Sequence, residues 1–358
     1  MNQHPSSPGT FSLPTLRLDR RRLTILVGLS ILTIVFLLVL GGGQAAIAAL
    51  TAVDPAWLVL GLVVHYSGFA VRGLRWQQLL QALNHRLSWR SAMTLLLSGW
   101  FVSALLPARA GDLLRIAILR TPTPGRAAVP VADGLGSIVM ERVLDMVALV
   151  VLGAGVGFAL LRTAMPGWVV AAYGSALLLL TIAAVALLLA PSLLQWLRRR
   201  SPQPLWQKAL DLATQLMQSL QSLGRAPALA LLVLVESLYI WLCDGVLLWA
   251  VLQAMGVDAP LPSIIFVALT VDIFAAIPLT PGGIGQIEGV NVALLALLPL
   301  PAFNLSAAVL LNRAISYWSF LLFSGIVTFA AGIGQMMVGG RASASLEKES
   351  DGDNEQIL

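Results

Sequence analysis

Arg109, Asp112 and Arg115 follow one another in steps of three within PARAGDLLR (107–115), just after a proline and around a glycine. On a helix that spacing puts them near one face. Glu141, Arg142 and Asp145 sit together in VMERVLDMV (139–147), the two carboxylates four residues apart. Glu288 closes a second broken stretch, IPLTPGGIGQIEG (277–289), and Arg313 follows inside the last long apolar run. Guanidinium groups bind phosphate through paired parallel hydrogen bonds. A broken helix also offers free backbone N–H groups to an anion. The chemistry on offer is therefore capture of an anionic group by Arg109, Arg115, Arg142 and Arg313, with Asp112 among them. Glu141, Asp145 and Glu288 are placed to carry protons, hold an amine or pair with those arginines. Gly111, Gly282 and Gly283, with Gly285, permit close backbone approach and positive φ. A second reading needs no ligand: the charges pair with one another and lock helices together, and breaking one such pair would cost roughly 3–5 kcal/mol.

A further basic group, VRGLRWQQLL (71–80), places Arg72 and Arg75 beside Trp76. Its expected role is anchoring at a membrane edge with an aromatic belt, and headgroup collection is secondary. Asp54, Asp133 and Asp244 suggest nothing specific. Asp272 lies within the second expected hairpin, 262–300.

These charges matter because of what surrounds them. Hydrophobic residues make up 58% of the 358 residues and charged ones 11%, where soluble domains carry roughly 25% charged residues. Mean hydropathy is +0.86. The expected class is an all-α polytopic membrane protein, with room for about eight segments at about 20 residues each. A charge at such depth costs at least ~2.5 kcal/mol, so it faces the interior and finds a partner. One cysteine, Cys243, excludes an internal disulfide framework, and three scattered histidines (His4, His65, His85) suggest no metal site; no cofactor is expected. Of 22 basic residues only Lys208 and Lys348 are lysine. That bias suits phosphate binding, and a GC-rich coding sequence produces it equally.

The elements that must position the charges follow from the apolar runs: 23–43, 55–80, 91–106, 113–119, 133–161, 168–190, 226–255, 262–279, 290–300 and 305–335. Runs 91–106 and 113–119 are short and joined through Pro107 and Gly111; 262–279 and 290–300 are joined through Pro278, Pro281 and three glycines. Each pair reads as a re-entrant helical hairpin, 91–119 and 262–300, because its second arm is too short to span. About six full spans remain. Arginines at 17, 20–22, 72, 75, 86, 90, 120, 126, 198–200, 225 and 341 put both termini in the cytoplasm, with Arg162 as the exception. The two hairpins then dip in from opposite faces, which is an inverted-topology repeat. Pro107 and Pro278, Gly111 and Gly282, and Arg142 and Arg313 share one register, 171 positions apart. The expected organisation is a disordered tail (1–16), a first helix with its outer connection (17–54), repeat one (55–162), a connecting span and cytoplasmic amphipathic helix (163–225), repeat two (226–335) and an acidic tail (336–358).

RGLRW (72–76), PARAGDLLR (107–115), ERVLD (141–145) and TPGGIGQIEG (280–289) together resemble the motifs of the lysylphosphatidylglycerol synthase transmembrane-region family, also called flippase-like domain proteins. The resemblance spans roughly residues 20–335. It implies a bacterial inner-membrane protein that moves lipids between leaflets, with Arg109, Gly111, Asp112, Arg115, Glu141, Arg142, Asp145, Gly282, Gly283 and Glu288 at the motif positions. Asp112 stands where the family usually has Glu. Bifunctional members add a soluble aminoacyl-transferase domain, so a chain ending in a polar tail is not expected to aminoacylate lipid.

The leading expectation is a translocase rather than an enzyme. An anionic or polyprenyl-phosphate headgroup would sit against Arg109, Arg142 and Arg313, with Glu288 and Glu141 coupling protons. No GxxxxGK[ST] phosphate loop is present, so ATP hydrolysis within the chain is not expected. The competing readings are a membrane transferase with a polyprenyl-linked donor and a non-transporting scaffold. Expected partners are membrane lipids, then lipid-modifying or glycosyltransferase enzymes, and not nucleic acid.

Overall fold

A computed structural model describes residues 28, 31–32, 34–39, 43–105, 110–122, 127–160, 166–200, 203–276 and 279–333. The expected tails, parts of run 23–43, and Pro107, Arg109, Arg162 and Pro278 fall outside them. The described residues are helical, without strands: α1 (Gln44–Thr51), α2 (Pro55–Ala82), α3 (Trp89–Leu105), α4 (Ala110–Arg120), α5 (Val131–Leu160), α6 (Gly167–Arg200), α7 (Pro204–Gly224), α8 (Pro227–Ala254), α9 (Leu261–Ala275) and α10 (Gln286–Leu295). The last, α11, runs Leu305–Ala330, with a π-helical segment at Ala314–Ser319 in its middle. Four of these, α2, α6, α8 and α11, are long and apolar enough to cross a membrane. The 30-residue α5 has the length, but carries Asp133, Glu141, Arg142 and Asp145.

Local chemistry sets the helix ends. Asp54 accepts a hydrogen bond from the Ala56 backbone N–H (2.9 Å) and Pro55 opens α2, a pairing of acceptor cap and N-terminal proline that suits a helix start. Asn304 caps α11 through the Ala307 N–H (3.0 Å). The ends of α2 and α8 are alike. Both helices are 28 residues long and open on proline, Pro55 and Pro227. After α2, the N–H groups of Asn84 and His85 return to the carbonyls of Gln81 and Leu80, each at 2.9 Å. After α8, Gly256 and Val257 return to Gln253 and Leu252, again each at 2.9 Å. Asn84 (φ 65°) and Gly256 (φ 73°) both adopt the left-handed conformation that ends such caps.

Helices α2 and α8 pack along each other. Gly61 brings Leu247 and Ala250 close, and Gly68 seats on Cys243. The main apolar core lies on the α8 side, where Leu247, Leu248, Val251, Leu252, Ile264, Val267, Leu294 and Val309 are buried together.

Each broken stretch is flanked by two helices that pack on one another, α3 with α4 and α9 with α10. At the first, a Cβ on Gly111 would strike the Gly99 carbonyl oxygen. Only hydrogen at both positions permits that approach. The Gly111 N–H also donates to Ser103 Oγ (3.1 Å), tying the start of α4 to α3. At the second, a 3₁₀ turn over Pro281–Gly283 leads into α10, with φ of 65° at Gly282 and 66° at Gly283.

Within the expected connecting span and amphipathic helix (163–225), the division falls later than the apolar run 168–190 suggests. Residues up to Arg200 extend α6 straight through Pro191, and α7 follows as a separate helix. One face of α7 packs on α5 and α6, with Ser219 donating to Asp133. Trp196 and Trp206 remain exposed.

Candidate functional site

Six of the charges singled out by spacing form one network around α5. Glu141 and Asp145, one turn apart, face α2 and α4. Arg75 donates to Asp145 (2.5 Å) and to Ser237 on α8 (2.7 Å), and lies 3.4 Å from Glu141. Arg115 reaches Asp112 (3.2 Å) and the other Glu141 oxygen (3.4 Å). Its guanidinium lies 3.9 Å from the Trp76 ring centre, and its stem crosses Gly99. Arg142 sits 3.7 Å from Asp112, 3.9 Å from Glu141 and 4.0 Å from Asp145. Trp241 donates to Asp145 and Trp76 to Ser137. Three guanidinium groups meet three carboxylates, so the network closes its own charge. Arg75, Arg115 and Glu141 are sealed, whereas the Arg142 side chain remains 34% exposed.

A second network holds the other break. Arg313 Nε donates to Glu288 (2.7 Å), and another guanidinium nitrogen donates to the Gly282 carbonyl (3.1 Å). The free Glu288 oxygen accepts from the Gly285 N–H (2.7 Å). The guanidinium lies 4.3 Å from the Tyr317 ring centre. A side chain at Gly282 would collide with the Tyr317 hydroxyl, so the positive φ and the close approach both require glycine there. The π-helical segment starts directly after Arg313. Such segments widen one turn and often accompany functional sites.

Between the networks lies a cavity of about 260 Å³ bounded by α2, α3, α8, α9, α10 and α11. That is just under the common range for small-molecule pockets, about 300–1,000 Å³. Arg72 is its central cation. It pairs with Asp244 (3.2 Å) and lies 4.9 Å from the Trp241 ring centre, 5.3 Å from Trp100 and 5.6 Å from Phe69. His65 Nδ1 lies 2.8 Å from the other Asp244 oxygen. Arg313 reaches the same space from α11, and Asp272, Asn291 and Asn312 add polar atoms from α9, α10 and α11. Leu247, Leu248, Val271 and Phe320 supply apolar walls. The lining combines charged and amide groups with apolar walls.

Residues 25–324 match the family described as the lysylphosphatidylglycerol synthase TM region. The chain belongs to that family. Its relatives include Glycosyltransferase AglD of Haloferax volcanii, 28% identical over 357 residues covering 88% of this chain and 54% of AglD. A UPF0104 membrane protein of Methanothermobacter thermautotrophicus is 24% identical over 315 residues, covering 81% of this chain and 88% of the relative. The UPF0104 membrane protein MJ1078 of Methanocaldococcus jannaschii is 24% identical over 231 residues, covering 64% and 93%. The chain thus spans about half the length of AglD and most of the UPF0104 relatives it matches.

In this lysylphosphatidylglycerol synthase TM-region protein, the expected trio Arg109, Arg142 and Arg313 does not surround one described cavity. Arg109 lies outside the described residues, Arg142 belongs to the α5 network, and Arg313 lines the cavity while paired to Glu288. The membrane-edge reading of RGLRW is corrected. Arg75 and Trp76 are fully buried, and Arg72 points into the cavity, because α2 continues past them for six residues and packs on α8 and α5. Gly111, Gly282 and Gly283 shape the backbone at the breaks. His65, Asp244, Asn291 and Asn312 were not anticipated. The usable signal was polar side chains inside apolar spans, which mark functional positions by their cost alone.

Proposed function

We propose that this protein is a lipid translocase of the bacterial cytoplasmic membrane, with both termini in the cytoplasm, passing an anionic or polyprenyl-phosphate headgroup through the cavity between its two halves. The observation that carries this reading is that the aromatic-cradled Arg72 and Arg313 line one amphipathic cavity. An arginine held by one carboxylate and ring faces keeps N–H donors for a phosphate. The lipid tails would remain in the bilayer while the headgroup crosses. Two further observations support it. The element order break-in-α3/α4 and break-in-α9/α10 recurs, and the matched caps of α2 and α8 suit a duplicated unit. We read that unit as an inverted repeat whose two helix–break–helix arms are re-entrant.

The test is reconstitution in liposomes with fluorescent phosphatidylglycerol and a polyprenyl phosphate, reading exchange between leaflets. Wild type is expected to accelerate exchange over empty vesicles, and Arg72→Gln to lower it at least tenfold while keeping its melting temperature. No acceleration for any lipid class defeats the reading.

A second reading, a membrane transferase with a polyprenyl-linked donor, is favoured by the name of the AglD relative and by two carboxylates, Asp244 and Asp272, in one cavity. A glycosylated lipid product that disappears in Asp244→Asn protein would replace translocation with catalysis.

A further inference from the structure

The cavity holds polar atoms that the protein leaves without partners. Asp272 Oδ2, Asn291 Oδ1 and Asn312 Oδ1 are buried, line the same space and accept no hydrogen bond among the described residues. The Asn291 assignment is constrained by its own amide nitrogen, which donates to the Ile287 carbonyl one turn back (3.1 Å). Asn291 is 2% exposed. Buried polar atoms of this kind ordinarily find a partner, and here three on neighbouring helices lack one.

Charge counting says what the partner is. Arg72 is matched by Asp244 and Arg313 by Glu288. No described Arg, Lys or His nitrogen lies within the 4.0 Å ion-pair limit of the Asp272 carboxylate. The charged or titratable groups on the elements around it are Arg72 and His65 on α2, Asp145 on α5, Tyr173 on α6, Asp244 on α8, Glu288 on α10 and Arg313 on α11, and each except Tyr173 already has an opposite charge beside it. Ionised Asp272 therefore adds one negative charge with no counter-charge beside it. One carboxylate and two amide oxygens are hard oxygen donors, and a single surplus charge suits a singly charged ion rather than a divalent one.

We propose that Asp272, Asn291 and Asn312 form a binding site for a monovalent cation, a proton or sodium, that couples to headgroup binding. The coupling rests on the translocase reading. An anion approaching Arg72 meets the Asp272 charge in the same cavity. A bound cation removes that repulsion, so cation and anionic headgroup favour each other's binding and, by linkage, do so reciprocally. All three donors lie in the second half, while Arg72 lies in the first, so both halves contribute to the loaded state.

The binding step is tested on the purified full chain in detergent, without any lipid assay. Sodium chloride is titrated against choline chloride at fixed ionic strength, and separately pH is varied, with the melting temperature as readout. A ligand that binds only the folded state raises it. Sodium is expected to raise the melting temperature by several degrees in wild type and not in Asp272→Asn, which identifies sodium. If instead only lowered pH stabilises wild type and Asp272→Asn is insensitive, the occupant is a proton. A wild type insensitive to both, or an Asp272→Asn protein that responds fully, overturns the site. Should Asp272→Asn fail to purify, Asn291→Ala and Asn312→Ala are expected to shift the half-saturating sodium or the midpoint pH at least threefold in ion concentration, and unchanged values in both overturn it. Coupling is then read in phosphatidylethanolamine/phosphatidylglycerol vesicles with fluorescent phosphatidylglycerol. The matching ion gradient is expected to speed exchange at least threefold. Exchange that ignores both gradients defeats coupling. Absence of exchange with the thermal response intact defeats the translocase reading and leaves the cation site supported.

Discussion

Arg72 and Arg75 stand one turn apart on α2 and face different surroundings. Arg75 spends its donors on Asp145 and Ser237 and lies against Glu141, while Arg72 opens on the cavity with one carboxylate partner and three rings. Glu141 is the hinge of the sealed network, taking Arg75 on one oxygen and Arg115 on the other. Glu141→Gln leaves two buried guanidinium groups short of a charge, a change that typically costs about 3–5 kcal/mol. Thermal denaturation of the purified variant should show a large drop in melting temperature, while transport per folded molecule changes little. Arg72→Gln should do the reverse. Equal effects on stability and transport in both variants would remove the distinction between locking and binding charges. Spacing alone picked out Glu141, Arg142 and Asp145 as one group, because neighbours on a helix are neighbours in space. It missed the Arg72–Asp244–His65 set, whose members meet only through packing of helices 172 and 179 positions apart in sequence.

The elements were more legible than the contacts. Length and apolar content located α5 and α8 to within two residues at each end and the start of α11 at Leu305, while run 305–335 overshoots its end at Ala330 by five; proline with glycine marked the stretches between α3 and α4 and between α9 and α10. What hydropathy could not reveal was how tightly the arms close. The α3–α4 crossing depends on Gly99 and Gly111 meeting backbone to backbone, with Ser103 receiving the Gly111 N–H. A methyl group has no room there, and the obstructing atoms are backbone, which cannot rotate away. Overpacking a well-packed core costs about 1–3 kcal/mol, and Gly111→Ala should sit at or above the top of that range. Denaturation of the purified variant measures it, with Gly155→Ala as the comparison, since a Cβ at Gly155 meets open space. If the two variants melt alike, the arms are not held at that crossing. The π-helical segment after Arg313 was likewise invisible in the sequence, because apolar periodicity does not distinguish one widened turn from a regular one.

At the scale of the whole molecule, α2 and α8 end with the same cap, yet the residues just beyond carry opposite charge. Arg86 follows α2 and Asp258 follows α8, each two residues past the left-handed position, and both are exposed. A duplicated unit inserted twice in the same orientation would keep basic residues at both places, because positive loops stay in the cytoplasm. A unit inserted in opposite orientations has no such constraint on the second copy, and an acidic residue there is tolerated. The arginine pattern that assigned the loops therefore predicts that these equivalent positions lie on opposite faces. The check uses a Cys243→Ser background carrying Arg86→Cys or Asp258→Cys, labelled with a membrane-impermeant maleimide in right-side-out and inverted vesicles. Arg86→Cys should label only where the cytoplasmic face is outward, and Asp258→Cys only where it is inward. Labelling of both from one side makes the halves parallel, so that the α3–α4 and α9–α10 arms enter from the same leaflet. The cavity between α2 and α8 would then have no symmetric alternate opening for a headgroup to leave by.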